Sequence, residues 1–448
     1  MGLLLENRVM ADSMNLISAQ ISFLEPHLAL VHIPIELYTF CLQPILQLLF
    51  GEDHDEDAAK ISWTNRHDFL NVSITPVECS IICSRHLADR FVRPVAQTLN
   101  QLYGANSKVA KSRTEVQISS EDYIAIQVDG QGLDAGQRVL ELTSPLAMAG
   151  ISIFFITTYF SDYILVPFRS HKTVTKALQQ RGFVFSQSAD AFVSQLSPSS
   201  PTVPQGVRPI SSPTFYENSA PTTPPAKDLP ELQIRTFTKL TRNNISPLVD
   251  SEVRLANCAG SREPDAERDE QLKNDLLQVL ISTSYLPEAA DQSKDLNPST
   301  TVDPGLAEAD AIDLDFGAKF LSLTITAREP ISVLLEHRLL DRLGGSLLGA
   351  KSEEDALIPI TLDLRHLPLD ATGIVCGVAG RLAQGSTDDF EQLNLSPLSE
   401  VTPDPLEPVE ISFLSTVRAG TVIVKANHLA KALDALKYGM DRVADMTE

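Results

Sequence analysis

The sequence predicts an α+β protein built from four ferredoxin-like modules, arranged as two duplicated halves joined by a disordered linker. Three observations predict it. An internal repeat runs across a Ser/Thr/Pro-rich stretch. Each clear repeat has the order β-α-β-β-α, the greater part of a ferredoxin-like module. The chain has 448 residues, 43% of them hydrophobic, which suffices to bury several cores.

The elements follow in order. Module 1 is expected over 14–104, with a helix closing at Ile45-Leu46-Gln47-Leu48-Leu49-Phe50 and a strand over Phe69-Leu70-Asn71-Val72-Ser73-Ile74-Thr75. Module 2, over 115–185, opens with a strand from Tyr123 to Val128. A helix ending near Pro145-Leu146-Ala147 follows, then a strand pair within Ile151 to Val166 and an amphipathic helix carrying Lys176-Ala177-Leu178. The linker, 186–229, holds Ser197-Pro198, Ser200-Pro201, Ser212-Pro213 and Thr223-Pro224, with too few apolar side chains to offset the entropy of ordering. Module 3, over 230–352, contains the helical run Leu276 to Ile281, a long polar loop from Glu288 to Asp310, and Phe320 to Thr326. Module 4, over 353–440, has a strand from Ile358 to Leu364, a helix ending near Arg381-Leu382-Ala383, an inserted loop from Gly385 to Pro408, a strand pair within Val409 to Val424, and a helix carrying Lys431-Ala432-Leu433.

The repeat fixes the correspondences. At a constant offset of 251, Phe69 to Thr75 aligns on Phe320 to Thr326, Glu78 falls on Glu329, and His86 falls on His337. At an offset of 258, Ile151 to Val166 aligns without gaps on Val409 to Val424. The preceding helices align at 236, so the second half carries 22 extra residues there, close to the length of the Gly385 to Pro408 loop. Loops absorb insertions.

Composition narrows the function. A formal charge of −22 repels nucleic-acid phosphates and anionic membranes, so neither is an expected partner. The five cysteines are widely spaced and four lie in or beside apolar runs, which suits buried thiols. Residues Met1 to Met10 lack the layout of a signal peptide, and Ile151 to Val166 is too short and too interrupted to span a bilayer. A soluble cytoplasmic protein is the expectation. Gly344-Gly345 has no phosphate-loop continuation, Gly130-Gln131-Gly132 lacks the third glycine of a dinucleotide turn, and Cys79 and Cys83 have no partner pair at zinc spacing. With no Gly-x-Ser-x-Gly elbow either, the expectation is a protein that is no enzyme and takes no cofactor or metal.

Several segments carry a resemblance. Glu36-Leu37-Tyr38-Thr39 with Pro44 to Phe50, Gly150-Ile151-Ser152-Ile153, the Thr157-Thr158-Tyr159 turn, Ser161 to Val166, and Gly373-Ile374-Val375 with Ala379-Gly380 resemble the CASTOR-type cytosolic arginine sensors. The resemblance implies four ACT modules and a free amino acid held between the second and fourth. It also implies a ligand-dependent contact with the GATOR complex of TOR-pathway signalling. Self-association into a homodimer is a further expectation. The family's ligand-contacting residues fall on Ile151, Ser152 and Ile153, and on Gly373, Ile374, Val375, Thr416 and Val417. Two positions depart. Gly420 stands where arginine-binding members have an aspartate, and Ala371 where they have a glutamate, so another amino acid can be the ligand.

The physical requirements stand beside the resemblance. A free amino acid needs carbonyls for its ammonium and exposed NH groups for its carboxylate, which strand ends and helix N-termini supply. Gly373 suits that position, or a plain turn. A cationic side chain would also need a carboxylate. Asp162, the repeat partner of Gly420, and Glu410, the partner of Ser152, are the candidates. Their alternatives are a turn cap for Asp162 and solvent for Glu410, and Ser152 alternatively is a small polar strand residue. Two other functions fit the pattern: a regulatory subunit of an amino-acid metabolic enzyme, and a scaffold without ligand.

Overall fold

A computed structural model describes residues 20–24, 27–51, 62–104, 115–129, 135–185, 226–250, 252–262, 265–284, 317–343, 345–349, 352–384 and 409–445. The predicted linker up to residue 225 and both polar loops, Glu288 to Asp310 and Gly385 to Pro408, lie outside them. After a first strand, β1 (Gln20–Phe23), the order β-α-β-β-α recurs. Its first pass is β2 (Leu28–Pro34), α1 (Tyr38–Phe50), β3 (Leu70–Ile74), β4 (Glu78–Ser84) and α2 (Arg93–Gly104). The second is β5 (Tyr123–Asp129), α3 (Ala135–Met148), β6 (Phe154–Thr157), β7 (Asp162–Pro167) and α4 (His171–Gln180). Helix α5 (Leu229–Arg242) precedes the third pass, β8 (Leu255–Ala259), α6 (Ala266–Thr283), β9 (Leu321–Ile325) and β10 (Ser332–Glu336), whose closing helix is a single turn, Leu340–Leu343. The last is β11 (Leu357–Asp363), α7 (Ile374–Gln384), β12 (Ile411–Ser415), β13 (Ala419–Lys425) and α8 (Leu429–Asp445).

Local chemistry sets these elements. Asp228 caps α5 by accepting from Glu231 N, with Pro230 in the first turn, and Asp265 caps α6 by accepting from Glu267 N and Arg268 N. The two-strand turns share one device. Thr75, Thr158, Thr326 and Thr416 each accept on the side-chain hydroxyl from the amide three residues on, at 3.2 Å. The pairs are repeat-related, so the same threonine closes the β-β turn in all four passes.

The chain divides into two units, and each takes alternate passes. Unit 1 comprises 1–28, 121–249 and 358–448; unit 2 comprises 29–120 and 250–357. In unit 2 the strand order is β2, β4, β3, β9, β10, β8, antiparallel throughout the centre. Its core gathers Val31, Cys41, Ile45, Val72, Ile81, Leu276, Leu323 and Val333 among others. In unit 1 the order is β1, β5, β7, β6, β12, β13, β11. Its core includes Ile126, Leu142, Phe155, Ile164, Phe237, Ile360, Val378, Phe413 and Leu436.

Two segments cross the expected boundaries. Gln20–Phe23, within the stretch 14–104, pairs antiparallel with β5 in unit 1. Helix α5, at the start of 230–352, buries Leu232, Phe237 and Leu240 and packs on α7 and α8 of unit 1. Both carry apolar side chains that unit 1 covers, which decides their placement over chain order. All five cysteines are buried and unpaired by disulfides. Among the described residues no helix is long and apolar enough to cross a membrane.

Candidate functional site

In unit 1 the second and fourth passes meet edge to edge. Ile156 of β6 pairs with Leu414 of β12, and these two residues are themselves repeat equivalents at the offset of 258, so a local pseudo-twofold axis passes between them. On either side the strands are joined through hydroxyls. Phe155 N donates to Ser415 Oγ at 3.0 Å, and Phe413 N donates to Thr157 Oγ1 at 3.1 Å. Thr157 and Ser415 are repeat equivalents, as are Phe155 and Phe413, so the two bonds form one symmetric device. A side-chain oxygen takes the place of a ladder carbonyl.

Above the strands α3 and α7 run antiparallel. Cys376 bonds with the Thr143 hydroxyl, and an added Cβ on Gly380 would meet Leu140 Cδ1 at 3.5 Å. The start of α7 therefore lies beside the end of α3. Helix α3 ends on Gly150 at φ 70, with Gly150 N bonded to Ala147 O and Ile151 N to Leu146 O. That closing turn uses the residues that the sequence assigned to a strand start. β6 begins at Phe154, not at Ile151, because the chain first unwinds from the helix.

By register, Ile151 to Ile153 and the Thr416–Val417 turn lie at one corner of this junction. Ile151 and Ser152 are buried and Ile153 packs against the unit 1 core, which also holds Ile374 and Val375. Thr416 and Val417 are buried in the turn after β12, beside the start of β6. Gly420 pairs with Ser415 on the neighbouring strand, and an added Cβ there would meet Leu364 Cδ1 at 3.5 Å, an ordinary contact. Space is not what excludes a side chain at 420.

Two candidates carry structural duties. The Thr416 hydroxyl accepts from Ala419 N and closes the turn. Gly373 sits at φ 83, a conformation that favours glycine, and an added Cβ would lie 2.8 Å from Leu232 Cδ1, so α5 covers this approach. The Gly373 carbonyl accepts from Gly377 N at 2.8 Å and from the Thr236 hydroxyl at 3.0 Å. Beside it Lys239 Nζ donates to Thr372 O at 2.9 Å, and burial holds that ammonium below its ordinary pKa, with Arg235 adding to the effect.

Of the two acidic candidates, Glu410 is exposed and pairs with Lys425 at 2.7 Å. Asp162 is 1% exposed and accepts from Arg138 Nε of α3, so it is neither a turn cap nor a solvated carboxylate. Burial pushes its pKa up, and the Arg138 charge and the Thr157 hydroxyl oppose that rise. Sequence reasoning missed Arg138, although the helix offset of 236 already aligned it with Ile374. It also missed Thr157 and Ser415 as bridging groups. The corner offers buried backbone ends, a cation on a carbonyl, and small side chains. Among the described residues no group of His, Cys, Asp and Glu is arranged to hold a metal. The Cys376 thiol, pushed up to about 12 by burial, is no nucleophile at neutral pH.

Comparison with known proteins adds one firm point. The ACT domain family model matches residues 118–180. A search of curated protein sequences finds no match. Among solved structures, the protein Atu0741 of Agobacterium tumefaciens is similar at 17% identity, a TM-score of 0.24, and coverage of 38% of this chain and 92% of that one. Aspartate kinase from Synechocystis is similar at 9% identity and a TM-score of 0.27; the match covers 95% of this chain and 56% of the kinase's length. The match spans the second pass of this chain, β5 to α4, which is thus similar to an ACT domain.

Proposed function

We propose that this protein is a non-enzymatic cytoplasmic amino-acid sensor made of four ACT modules. Its ligand sits between the second and fourth modules, at the corner formed by Ile151 to Ile153, Gly373 to Val375, Thr416, Val417 and Gly420. Ligand binding biases the arrangement of those modules and hence the affinity for a protein partner, through differential contacts in the two states. Likeness to the CASTOR-type sensors makes a GATOR-type complex the partner to test first.

The observation that carries this reading is the hydroxyl-bridged junction of unit 1, Phe155 N to Ser415 Oγ and Phe413 N to Thr157 Oγ1. Strands joined through side-chain oxygens have their amides satisfied without a continuous backbone ladder, which lets the junction change its spacing when a small zwitterion binds. The ACT match over residues 118–180 supports amino acids as its class. The shared threonine turn of Thr75, Thr158, Thr326 and Thr416 supports four modules of one kind.

The test is thermal unfolding of the full chain against each standard amino acid. A ligand at a hundred times its Kd raises stability by about 2.7 kcal/mol. The expected result is a shift with one amino acid or a small set, lost in Ser152→Phe when each protein is compared with its own unliganded melting temperature. Absence of a shift with every amino acid would replace the sensor with a ligand-free scaffold. A shift only when an amino-acid metabolic enzyme co-purifies would favour a regulatory subunit.

A further inference from the structure

The junction of unit 1 has a second corner, across the pseudo-twofold axis, built from repeat equivalents of the first. Arg138 of α3 stands where α7 has Ile374, and Asp162 of β7 stands where β13 has Gly420. Glu410 stands where Ser152 does, and the Thr158 turn where the Thr416 turn does. The two corners thus share a backbone frame and differ in charge.

In the second corner the Arg138 guanidinium donates from Nε to Asp162 Oδ2. The arginine is 20% exposed and the aspartate 1%, so a tethered cation reaches from the rim to a carboxylate at the bottom. The other oxygen of that carboxylate, Oδ1, is buried and takes no hydrogen bond from the guanidinium; the neighbouring hydroxyl is that of Thr157. Guanidinium and carboxylate match as forked donors and paired acceptors, and here Nε donates to Oδ2 of a buried carboxylate, which is the contact such recognition starts from. Thr157, directly across from Asp162, accepts from Phe413 N, so the corner reaches the strand of the other repeat.

We propose that the Asp162 corner is a guanidinium-binding site which the chain fills with its own Arg138. The pseudo-equivalent corner, with Ile374 and Gly420, is then the one open to an outside ligand, and it holds an amino acid without relying on a guanidinium contact. The statement about the open corner rests on the amino-acid-binding reading above. The statement about Arg138 rests on geometry alone. Self-occupation gives one ligand per chain rather than two, and makes one side of the junction a fixed strut against which the other side responds.

The test is chemical rescue in the full chain, with ethylguanidinium as the probe. Arg138→Ala is expected to melt below wild type and to recover about half of that loss or more with millimolar ethylguanidinium, because the probe binds only the folded corner. Wild type, whose corner is filled, and Arg138→Ala combined with Asp162→Asn are expected to show no gain. No recovery in Arg138→Ala, or equal recovery in the double variant, overturns the proposal. If Arg138→Ala does not fold, Arg138→Gln, which keeps a donor beside the carboxylate, carries the same comparison. The two readings fail separately: rescue of Arg138→Ala with no amino-acid response in wild type keeps the guanidinium site and discards the sensor. The reverse result does the opposite.

Discussion

In unit 2, β3 and β9 meet along five registered pairs, Leu70 with Ile325 through Ile74 with Leu321. In unit 1 the corresponding strands, β6 and β12, share the Ile156 to Leu414 pair, with hydroxyl bridges on both sides. Both junctions put repeat equivalents on the axis, Val72 with Leu323 in one and Ile156 with Leu414 in the other. The outer face of the closed junction is polar yet buried. Asn71 Nδ2 donates to Ser322 Oγ at 3.2 Å and Thr324 Oγ1 at 3.1 Å, Ser73 Oγ donates to Asn71 Oδ1 at 2.8 Å, and the hydroxyls of Ser73 and Ser322 lie 2.9 Å apart. One junction satisfies its polar groups within itself. The other uses side chains as spacers and buries a charge. Satisfied networks rigidify, whereas strands held through side chains can change spacing. The same repeat therefore serves as a clamp in unit 2 and, on the reading proposed above, as the responsive joint in unit 1.

The largest effect that sharpens this contrast is an asymmetry within one ion pair. Arg138→Ala strands a buried Asp162 carboxylate, and the expected cost is about 3–5 kcal/mol, the scale for breaking a buried pair from one side. Asp162→Asn leaves Arg138, which reaches solvent, and should cost about 1–3 kcal/mol. Urea unfolding of both variants measures the difference. Equal costs would mean that the carboxylate is hydrated and that the second corner is no buried site.

The next effect compares the junctions directly. Asn71→Ala removes donors that Ser322 and Thr324 use and should destabilise by about 2 kcal/mol, while Ser415→Ala orphans the Phe155 amide and should cost about 1 kcal/mol. The sharper readout is amide exchange. Asn71→Ala is expected to speed exchange only in β3 and β9, and Ser415→Ala at Phe155 in β6. Loss of protection across both units from either variant would remove the distinction between a clamp and a joint.

Much of this architecture was legible in the sequence because apolar periodicity and the offsets of 251 and 258 survive in the strands. The strands at Tyr123 and Ile358, the pair within Val409 to Val424, and the helices ending near Ala147 and Ala383 fall close to the expected positions. The placement of Gln20–Phe23 and α5 was not legible, since a short apolar segment does not encode which core covers it. The site was legible as a set of positions but not as chemistry. Gly373 suited a ligand-facing helix start or a plain turn, and its φ of 83 beneath Leu232 shows that the backbone conformation favours the glycine. Thr416 looked like a ligand contact, and only the hydrogen bond from Ala419 N shows its part in the turn. Arg138 was hidden because ion pairs across 24 positions leave no local pattern, although its alignment with Ile374 was a usable signal.

The smallest effect concerns pH and tests which force governs the buried charge. Burial raises the Asp162 pKa, and the Arg138 charge only partly offsets it. A carboxyl with a folded pKa above its unfolded value holds its proton more tightly in the native state. Its contribution therefore lowers stability as pH rises from the unfolded pKa toward the folded one, and is constant above that. Asp363, held low chiefly by hydrogen bonds from Arg365 against the effect of burial, has the opposite sign: its contribution is present above the ordinary carboxylate pKa and is lost as pH falls through the folded value. Whole-chain slopes mix such terms, so the informative quantity is the difference between wild type and Asp162→Asn. As pH rises from the ordinary carboxylate pKa, wild type should lose stability relative to the variant, by an amount that levels off once the pH passes the folded pKa. A gain relative to the variant over the same range would mean that the Arg138 charge outweighs desolvation. Asp162, 1% exposed, would then be a buried carboxylate governed by the guanidinium charge rather than by desolvation.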